Sequence, residues 1–460
     1  MNRPSRRQFF RSSASLPLAA WAAGPGLWRF AEEPQDAAAA TETEAAQGPE
    51  RPARIAAFER MAFGLFLHWG LYSQLGEGEW AMKRHGIDKA EYFKLMSKFT
   101  AEGFDGAEIA KVARRAGMRY ATLTSRHHDG FSLYDTRGLS PYDVTHTPAG
   151  RDLVLDFVEG CRSHGITPML YCTTLDWTDE RFNDDWDGYQ QYLRDSVEIL
   201  CKEYGPIGGF WFDGNWSRRK ADWQLDQLYG VIRKHQPDAL IINNTGVKNG
   251  GQVGHPEIDS VTYERGRAES LDRTGMTKYV TGEVCQTFNY HWGIASQDYN
   301  MLSPASVIEG LCAARRAGAN LLMNVGPDAS GRLPDYERAS LAIVGDWIQH
   351  AGGSEGPIYQ GTPVGIAGEE RDFGLLMGDD LAYLFVFDIT ATADSRHGVK
   401  SRGPGPRAFT GLKGDWATAH WMDNDQAIEM TREGESIVLK ATKYPYGTNT
   451  VVRIARLSRA

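Results

Sequence analysis

From residue 55 onward, short apolar runs alternate with segments in which apolar positions recur at helical spacing. Eight runs read as strands: Phe63–Leu67, Tyr120–Thr124, Thr167–Tyr171, Gly209–Phe212, Ala239–Ile242, Ser260–Tyr263, Tyr279–Val284 and Ala319–Val325. Their nearly continuous apolar character suits strands covered on both faces. Between them, Phe104, Ile109, Val112, Ala113 and Ala116 share one helical face before Gly117. Tyr189, Tyr192, Leu193, Val197, Leu200 and Tyr204 share another before Gly205, and Leu225, Leu228 and Ile232 a third before Pro237. Spacings of three and four closed by Gly or Pro mark amphipathic helices.

Alternating strands and helices imply a parallel sheet, and eight such strands imply closure. The repeat is incomplete. Val247–Pro256 is rich in Gly and leaves no room for a helix after the fifth strand, and the connection before the seventh is short. The expected fold is therefore α/β, a degenerate (β/α)8 TIM-like barrel over residues 55–355. After a helical Tyr336–His350, with Leu341, Val344 and Ile348 on one face, the texture changes to short strands between turns. Ala382–Phe387, Ala417–Trp421, Ser436–Lys440 and Thr450–Ile454 are examples, and residues 356–460 read as a C-terminal β-sandwich.

The N-terminus follows neither pattern. Ser5-Arg6-Arg7-Gln8-Phe9-Phe10 precedes an apolar stretch, Ala14 to Ala23. That stretch is too short for a membrane span of ~20 residues. Small residues around Ala20-Trp21-Ala22 suit a cleavage site. Residues 1–30 resemble a twin-arginine signal peptide, which implies export to the periplasm or beyond. Residues 31–54, rich in Ala and Glu, read as a linker.

Composition narrows the partners. Lys plus Arg is 50 against 59 Asp plus Glu, a net charge of −9, which argues against a broad nucleic-acid face and against polybasic membrane docking. The 5 Cys fall in no CxxC spacing, so neither a zinc site nor a redox motif is expected. All sit in apolar patterns and read as buried free thiols.

The chemistry gathers at strand ends. The first strand ends in His68 and the second runs to His127-His128-Asp129. Tyr171, Asp213, Asn243-Asn244, Glu264 and Asn324 close the third, fourth, fifth, sixth and eighth, and the seventh carries Glu283. In a barrel these ends converge on one face, where barrel enzymes keep their active sites. Asp213 follows a rigid aromatic strand and precedes Gly214, which suits a nucleophile. Glu264 and Glu283 are rival partners for it, because retaining glycoside hydrolysis needs one nucleophile and one acid/base about 5–5.5 Å apart. Apolar neighbours such as Tyr263 would help Glu264 keep its proton, whereas a pairing with Arg265 would oppose that. A catalytic metal is not expected. There is no HExxH, and adjacent His127 and His128 on a strand would face opposite sides. No GxGxxG frame occurs, so no cofactor is expected.

Taken together, ordered segments resemble the retaining α-L-fucosidases. They are Phe63-Gly64-Leu65-Phe66-Leu67-His68-Trp69-Gly70, Glu79-Trp80, His127-His128-Asp129-Gly130-Phe131, Trp211-Phe212-Asp213-Gly214, Glu283-Val284-Cys285-Gln286-Thr287 leading to Trp292-Gly293, and Leu321-Leu322-Met323-Asn324-Val325-Gly326-Pro327. The resemblance covers about residues 55–365. It implies a metal-free exo-acting enzyme with a barrel, a C-terminal β-domain and fucosylated oligosaccharides as partners. It places Asp213 as nucleophile and Glu264, or alternatively Glu283, as acid/base. It places His68, Glu79, Trp80, His127, His128, Tyr171, Trp211, Arg265 and Trp292 around the sugar. Gly282 departs from the family pattern, which usually has Trp before that Glu. Another retaining glycosidase for a galactose-like sugar, or a non-catalytic carbohydrate-binding protein, remains compatible with these residues.

Overall fold

The computed structural model describes residues 49–245, 250–390 and 402–459. The signal-like segment and residues 31–48 of the linker lie outside them. Eight parallel strands close a barrel in sequence order: β1 (Phe63–Leu67), β2 (Tyr120–Arg126), β3 (Thr167–Thr173), β4 (Gly209–Asp213), β5 (Leu240–Asn243), β6 (Ser260–Glu264), β7 (Thr281–Thr287) and β8 (Ala319–Val325). β1 and β8 pair throughout, from Phe63↔Leu321 to Leu67↔Val325, which seals the cylinder.

The amphipathic patterns become the outer layer: Gly106–Arg115, Leu153–Ser163, Trp186–Glu203, Leu225–His235, Pro304–Arg316 and Asp335–His350. Asp105, Asp152, Asp185 and Ser303 cap four of these helices with side-chain oxygens that accept from first-turn N–H groups. Among the described residues no helix follows β5 or β6. β5 and β6 correspondingly share a single paired register, Ile242↔Ser260. The barrel is degenerate where its sequence runs short of helix.

The barrel interior holds Phe66, Tyr120, Met169, Tyr171, Trp211, Leu240, Ile242, Cys285 and Leu322. Ile55 and Phe58, from the helix Ala53–Glu59, join this cluster and close the base. Burying large aromatic side chains here removes much apolar surface from water and makes the floor of the upper face rigid.

The C-terminal part is all-β. Its strands are β9 (Ala367–Gly368), β10 (Phe373–Met377), β11 (Leu381–Val386), β12 (Gly405–Thr410), β13 (Trp416–Trp421), β14 (Met430–Glu433), β15 (Ser436–Ala441) and β16 (Arg453–Arg459). They form one antiparallel sheet, in the order β13-β16-β11-β10-β9-β12-β15-β14. Leu384, Phe409, Trp421, Leu439 and Leu457, from strands spread across that sheet, share a separate core. Phe373, Phe385 and Ile454 instead belong to the main core of the barrel layer. The last strand begins at Arg453 rather than Thr450, because Val451 takes a left-handed backbone with its N–H on the Asn449 side chain. All five cysteines are free and buried. Among the described residues no helix is long and apolar enough to cross a membrane.

Candidate active site

Asp213 is the last residue of β4, and the chain turns sharply after it. Gly214 has φ +114°, and a Cβ there would stand 2.6 Å from the Leu175 nitrogen. Glycine alone fits both demands. The turn starts the short 3-10 segment Asn215–Arg218 and brings Trp216 back over the strand end. The Trp216 Nε1–H donates to Asp213 Oδ1 at 2.8 Å, and the Tyr171 hydroxyl donates to Oδ2 at 3.1 Å. His128 Nε2 lies 3.4 Å from Oδ2. Burial alone would raise the Asp213 pKa, but the bonds from His128, Trp216 and Tyr171 outweigh it and hold the carboxyl below its ordinary range.

Glu264 ends β6 and has the opposite electrostatics. Burial pushes it up to about 7, the Asp213 charge adds to the rise, and Asn244 and Arg265 oppose it. The two carboxyls share one donor. Asn244 Nδ2 is 3.3 Å from Asp213 Oδ1 and 2.8 Å from Glu264 Oε2, so these oxygens are at most about 6 Å apart, the sum of both bonds.

Burial keeps two of the histidines, His68 and His127, neutral. His68 Nδ1 meets Asn324 Oδ1 at 2.7 Å, and burial pushes its pKa down to about 3. Burial, then the neighbouring His128 and His68, drives His127 well below the ordinary histidine range. His128 Nδ1 meets Thr173 Oγ1 at 2.6 Å. His127 and His128 do not face opposite sides. They follow β2 in a loop, and their ring centroids are 4.2 Å apart. The alternation of a strand ends where its ladder ends.

Aromatic rings complete the surface. Trp80 stacks near Trp216, with centroids 6.0 Å apart, and packs on Trp177 at 4.9 Å. Trp292 lies 4.9 Å from His68, with the Arg265 guanidinium 5.2 Å from its ring. Arg265 has φ +51°, an unfavourable conformation for a side-chain-bearing residue, and its Nη2 donates to the Tyr290 carbonyl at 2.8 Å. Glu79 Oε2 accepts from the backbone N–H groups of Trp292 and Gly293 at 3.0 and 2.9 Å. It thereby ties the Trp292 loop to the segment that carries Trp80.

A family model for alpha-L-fucosidases matches residues 30–353. The chain belongs to the alpha-L-fucosidase family. An alpha-L-fucosidase of Branchiostoma floridae is 25% identical over 384 residues, 75% of this chain and 82% of its own. A Caenorhabditis elegans relative is 25% identical over 322 residues, 63% of this chain, and the match spans 64% of that relative's length. Among solved structures, alpha-L-fucosidase isoenzyme 1 from Paenibacillus thiaminolyticus is 27% identical, with a TM-score of 0.74 over 89% of this chain and 99% of its own. An alpha-L-fucosidase of Bacteroides thetaiotaomicron shares the fold, at 22% identity and a TM-score of 0.75 over 92% of this chain and 98% of its own.

Within this alpha-L-fucosidase frame, Glu283 stands apart from Asp213. It is the third residue of β7, fully buried, and points into the barrel interior. Its Oε1 accepts from the Tyr120 hydroxyl at 2.6 Å, and its Oε2 accepts from Trp211 Nε1 at 2.8 Å. Burial pushes its pKa up to about 7. Trp211 therefore faces the floor with its nitrogen and the site with its ring, which stacks on Tyr171 at 5.8 Å and 17°. Among the described residues, no three His, Cys, Asp or Glu side chains form a metal-holding group.

Sequence reasoning named Asn244 only as a polar strand end and gave Trp216 and Thr262 no role. Asn244 could have been found by the same strand-end rule that found Glu264. Trp216 could not, because its reach depends on the turn at Gly214.

Proposed function

We propose that this chain is an exo-acting, retaining α-L-fucosidase that releases L-fucose from fucosylated glycans by double displacement. The observation that carries the reading is the contrast between two neighbouring carboxyls, Asp213 held ionised and Glu264 held protonated near neutral pH. Their bridged oxygens lie at most about 6 Å apart, close enough to fit the roughly 5–5.5 Å carboxyl separation of a retaining pair.

In the first step Glu264 gives its proton to the leaving glycosidic oxygen while Asp213 attacks the anomeric carbon. The glycosidic C–O bond breaks and a fucosyl ester of Asp213 forms. Esterification removes the Asp213 charge, which is one cause of the raised Glu264 pKa. The Glu264 pKa falls, so its carboxylate stays ionised and free to take a proton from water, which attacks the same carbon and frees Asp213. Neutral His68 and His127, together with His128, present ring nitrogens suited to sugar hydroxyls. Trp292 and Trp80 supply apolar faces for the ring carbons and methyl group. Glu283 serves the floor under Trp211 rather than the proton transfers.

The supporting experiment measures free L-fucose from fucosylated oligosaccharides of several linkages, with wild type beside Asp213→Asn. Release by the wild type alone supports the reading. No release from any glycan by either protein refutes it. We also infer export by the twin-arginine route from Arg6-Arg7 and the apolar stretch behind them. If an Arg6→Lys, Arg7→Lys double variant were exported like the wild type, that inference would fail.

A further inference from the structure

We propose that Asn244 is a positioning residue for the catalytic pair, a single side-chain amide that bridges Asp213 and Glu264 and fixes their separation and aim. The proposal rests on the assignment of that pair.

The amide nitrogen carries two hydrogens, and each has one carboxylate oxygen to serve. Asp213 Oδ1 is at 3.3 Å and Glu264 Oε2 at 2.8 Å. The other end of the amide is committed too. Asn244 Oδ1 accepts from the Thr262 hydroxyl at 3.0 Å. A flipped amide would aim an oxygen at two carboxyls and its NH2 at a hydroxyl, so Thr262 selects the orientation that serves the pair. The backbone is held as well, with the Asn244 N–H on the Phe212 carbonyl at 2.8 Å. Asn243 next door is anchored through Nδ2 to the Tyr229 hydroxyl at 2.7 Å and to Asn215 Oδ1 at 3.0 Å.

The place of the residue in the fold explains the need. β5 meets β6 at one paired register only, so the backbone ladder leaves the upper ends of these strands unjoined. Asn244 joins them with side-chain bonds. It connects β4 through Asp213 with β6 through Thr262 and Glu264, where the barrel lacks both helix and ladder. Asn244 is 4% exposed and Thr262 fully buried, so water does not replace these bonds at little cost.

The bond to Glu264 also favours the ionised carboxylate, against burial and the Asp213 charge. That assists the second step, in which Glu264 must accept a proton. The other charged or titratable groups facing the pair are His68, Glu79, His128, Tyr171, Arg265 and Cys285. Among the described residues, none of them bridges both carboxyls with one donor atom.

The test uses Asn244→Leu, Asn244→Asp, Thr262→Val and Thr262→Ser in the full chain, with an activated aryl fucoside across a pH series. Loss of the bridge lowers kcat/KM of Asn244→Leu about 10- to 100-fold through misalignment. It also moves the high-pH limb upward by about half to one pH unit, because Glu264 loses a hydrogen bond to its ionised form. Asn244→Asp moves that limb further up by adding a negative neighbour. Thr262→Val shows part of the same shift, and Thr262→Ser reverses it. Should Asn244→Leu fail to fold, the limb shifts in Asn244→Asp and Thr262→Val decide. A fall in kcat/KM with an unmoved high-pH limb in every folded variant overturns the proposal, since a purely structural role does that. Azide rescue of Asp213→Gly and Glu264→Ala, run in parallel, separates the two levels. Without rescue the pair assignment falls and the proposal with it; with rescue and silent Asn244 variants, the pair stands and the proposal alone falls.

Discussion

Trp211 and Glu283 are joined by a 2.8 Å hydrogen bond across the barrel interior, indole nitrogen to carboxyl oxygen. The bond fixes the tryptophan edge that faces away from the site, and the opposite face of the ring stacks under Tyr171. Tyr171 in turn donates to Asp213. A carboxyl that looks catalytic in sequence thus sits three contacts below Asp213, the proposed nucleophile.

Replacing that carboxyl should therefore cost stability before chemistry. Glu283→Leu leaves the buried Tyr120 hydroxyl and Trp211 N–H without an acceptor, a loss of about 1–3 kcal/mol for each group. Glu283→Gln keeps an oxygen acceptor and stays active within about tenfold, whereas Glu264→Gln loses about 10²- to 10⁴-fold as a general acid/base variant. Urea unfolding and steady-state rates of the three proteins check this. An inactive but stable Glu283→Gln would count against the division of roles.

The same carboxyl gives a stability signature in pH. Its folded pKa of about 7 lies above the ordinary 4.5. The folded state therefore holds the proton more tightly, and the resulting stabilisation is complete below 4.5 and is lost as pH rises through 7. Relative to Glu283→Gln, the wild type should lose stability over that window. Thermal melts of both proteins from acid to neutral pH read the difference directly, and a constant gap would refute it.

The barrel was legible because its strands are buried on both faces and its helices carry regular apolar stripes. β1 and β8 match their expected bounds at both ends. The site was legible because parallel closure sends every strand end to one face, so Asp213 and Glu264 had to meet. Depth was harder to read. Glu283 sits one inward-facing position below Cys285 on β7, and a polar residue mid-strand lies in a lower layer than one at the end. Contacts that depend on turns, such as Trp216 on Asp213, carry no periodic signal. The single sheet of the C-terminal part was also hidden, since strand patterns do not reveal which edges join.

Activity should fall on both sides of neutrality for different reasons. Glu264 must be protonated for the first step, so kcat/KM declines above about pH 7. In Asp213→Asn the neighbouring negative charge is gone, and the Glu264 pKa falls. Carbonyl-labelled NMR or infrared titration of Glu264 in both proteins measures the shift. An upward movement would contradict the coupling between the carboxyls.

The acid limb reports Asp213. Tyr171→Phe removes the hydroxyl on Oδ2 and Trp216→Phe removes the indole donor on Oδ1. Both bonds lower the Asp213 pKa, so each variant should move the low-pH limb upward. A pH–rate profile with the limb unmoved in both would show that these donors do not tune the nucleophile.

Glu79 tests the aromatic wall. Glu79→Ala frees the Trp292 and Gly293 N–H groups from their shared acceptor and loosens the loop. KM should rise by about tenfold or more through the displaced Trp292. The high-pH limb, set chiefly by burial of Glu264 and the Asp213 charge, should move much less than KM.

The most direct test of the account is covalent. Glu264→Gln incubated with 2-fluoro-fucosyl fluoride, followed by proteolysis and mass spectrometry, should yield one fucosylated peptide with the ester on Asp213. A modification on Glu283, or product formed with inverted configuration and no adduct, would contradict the central claim that Asp213 is the nucleophile of a retaining reaction.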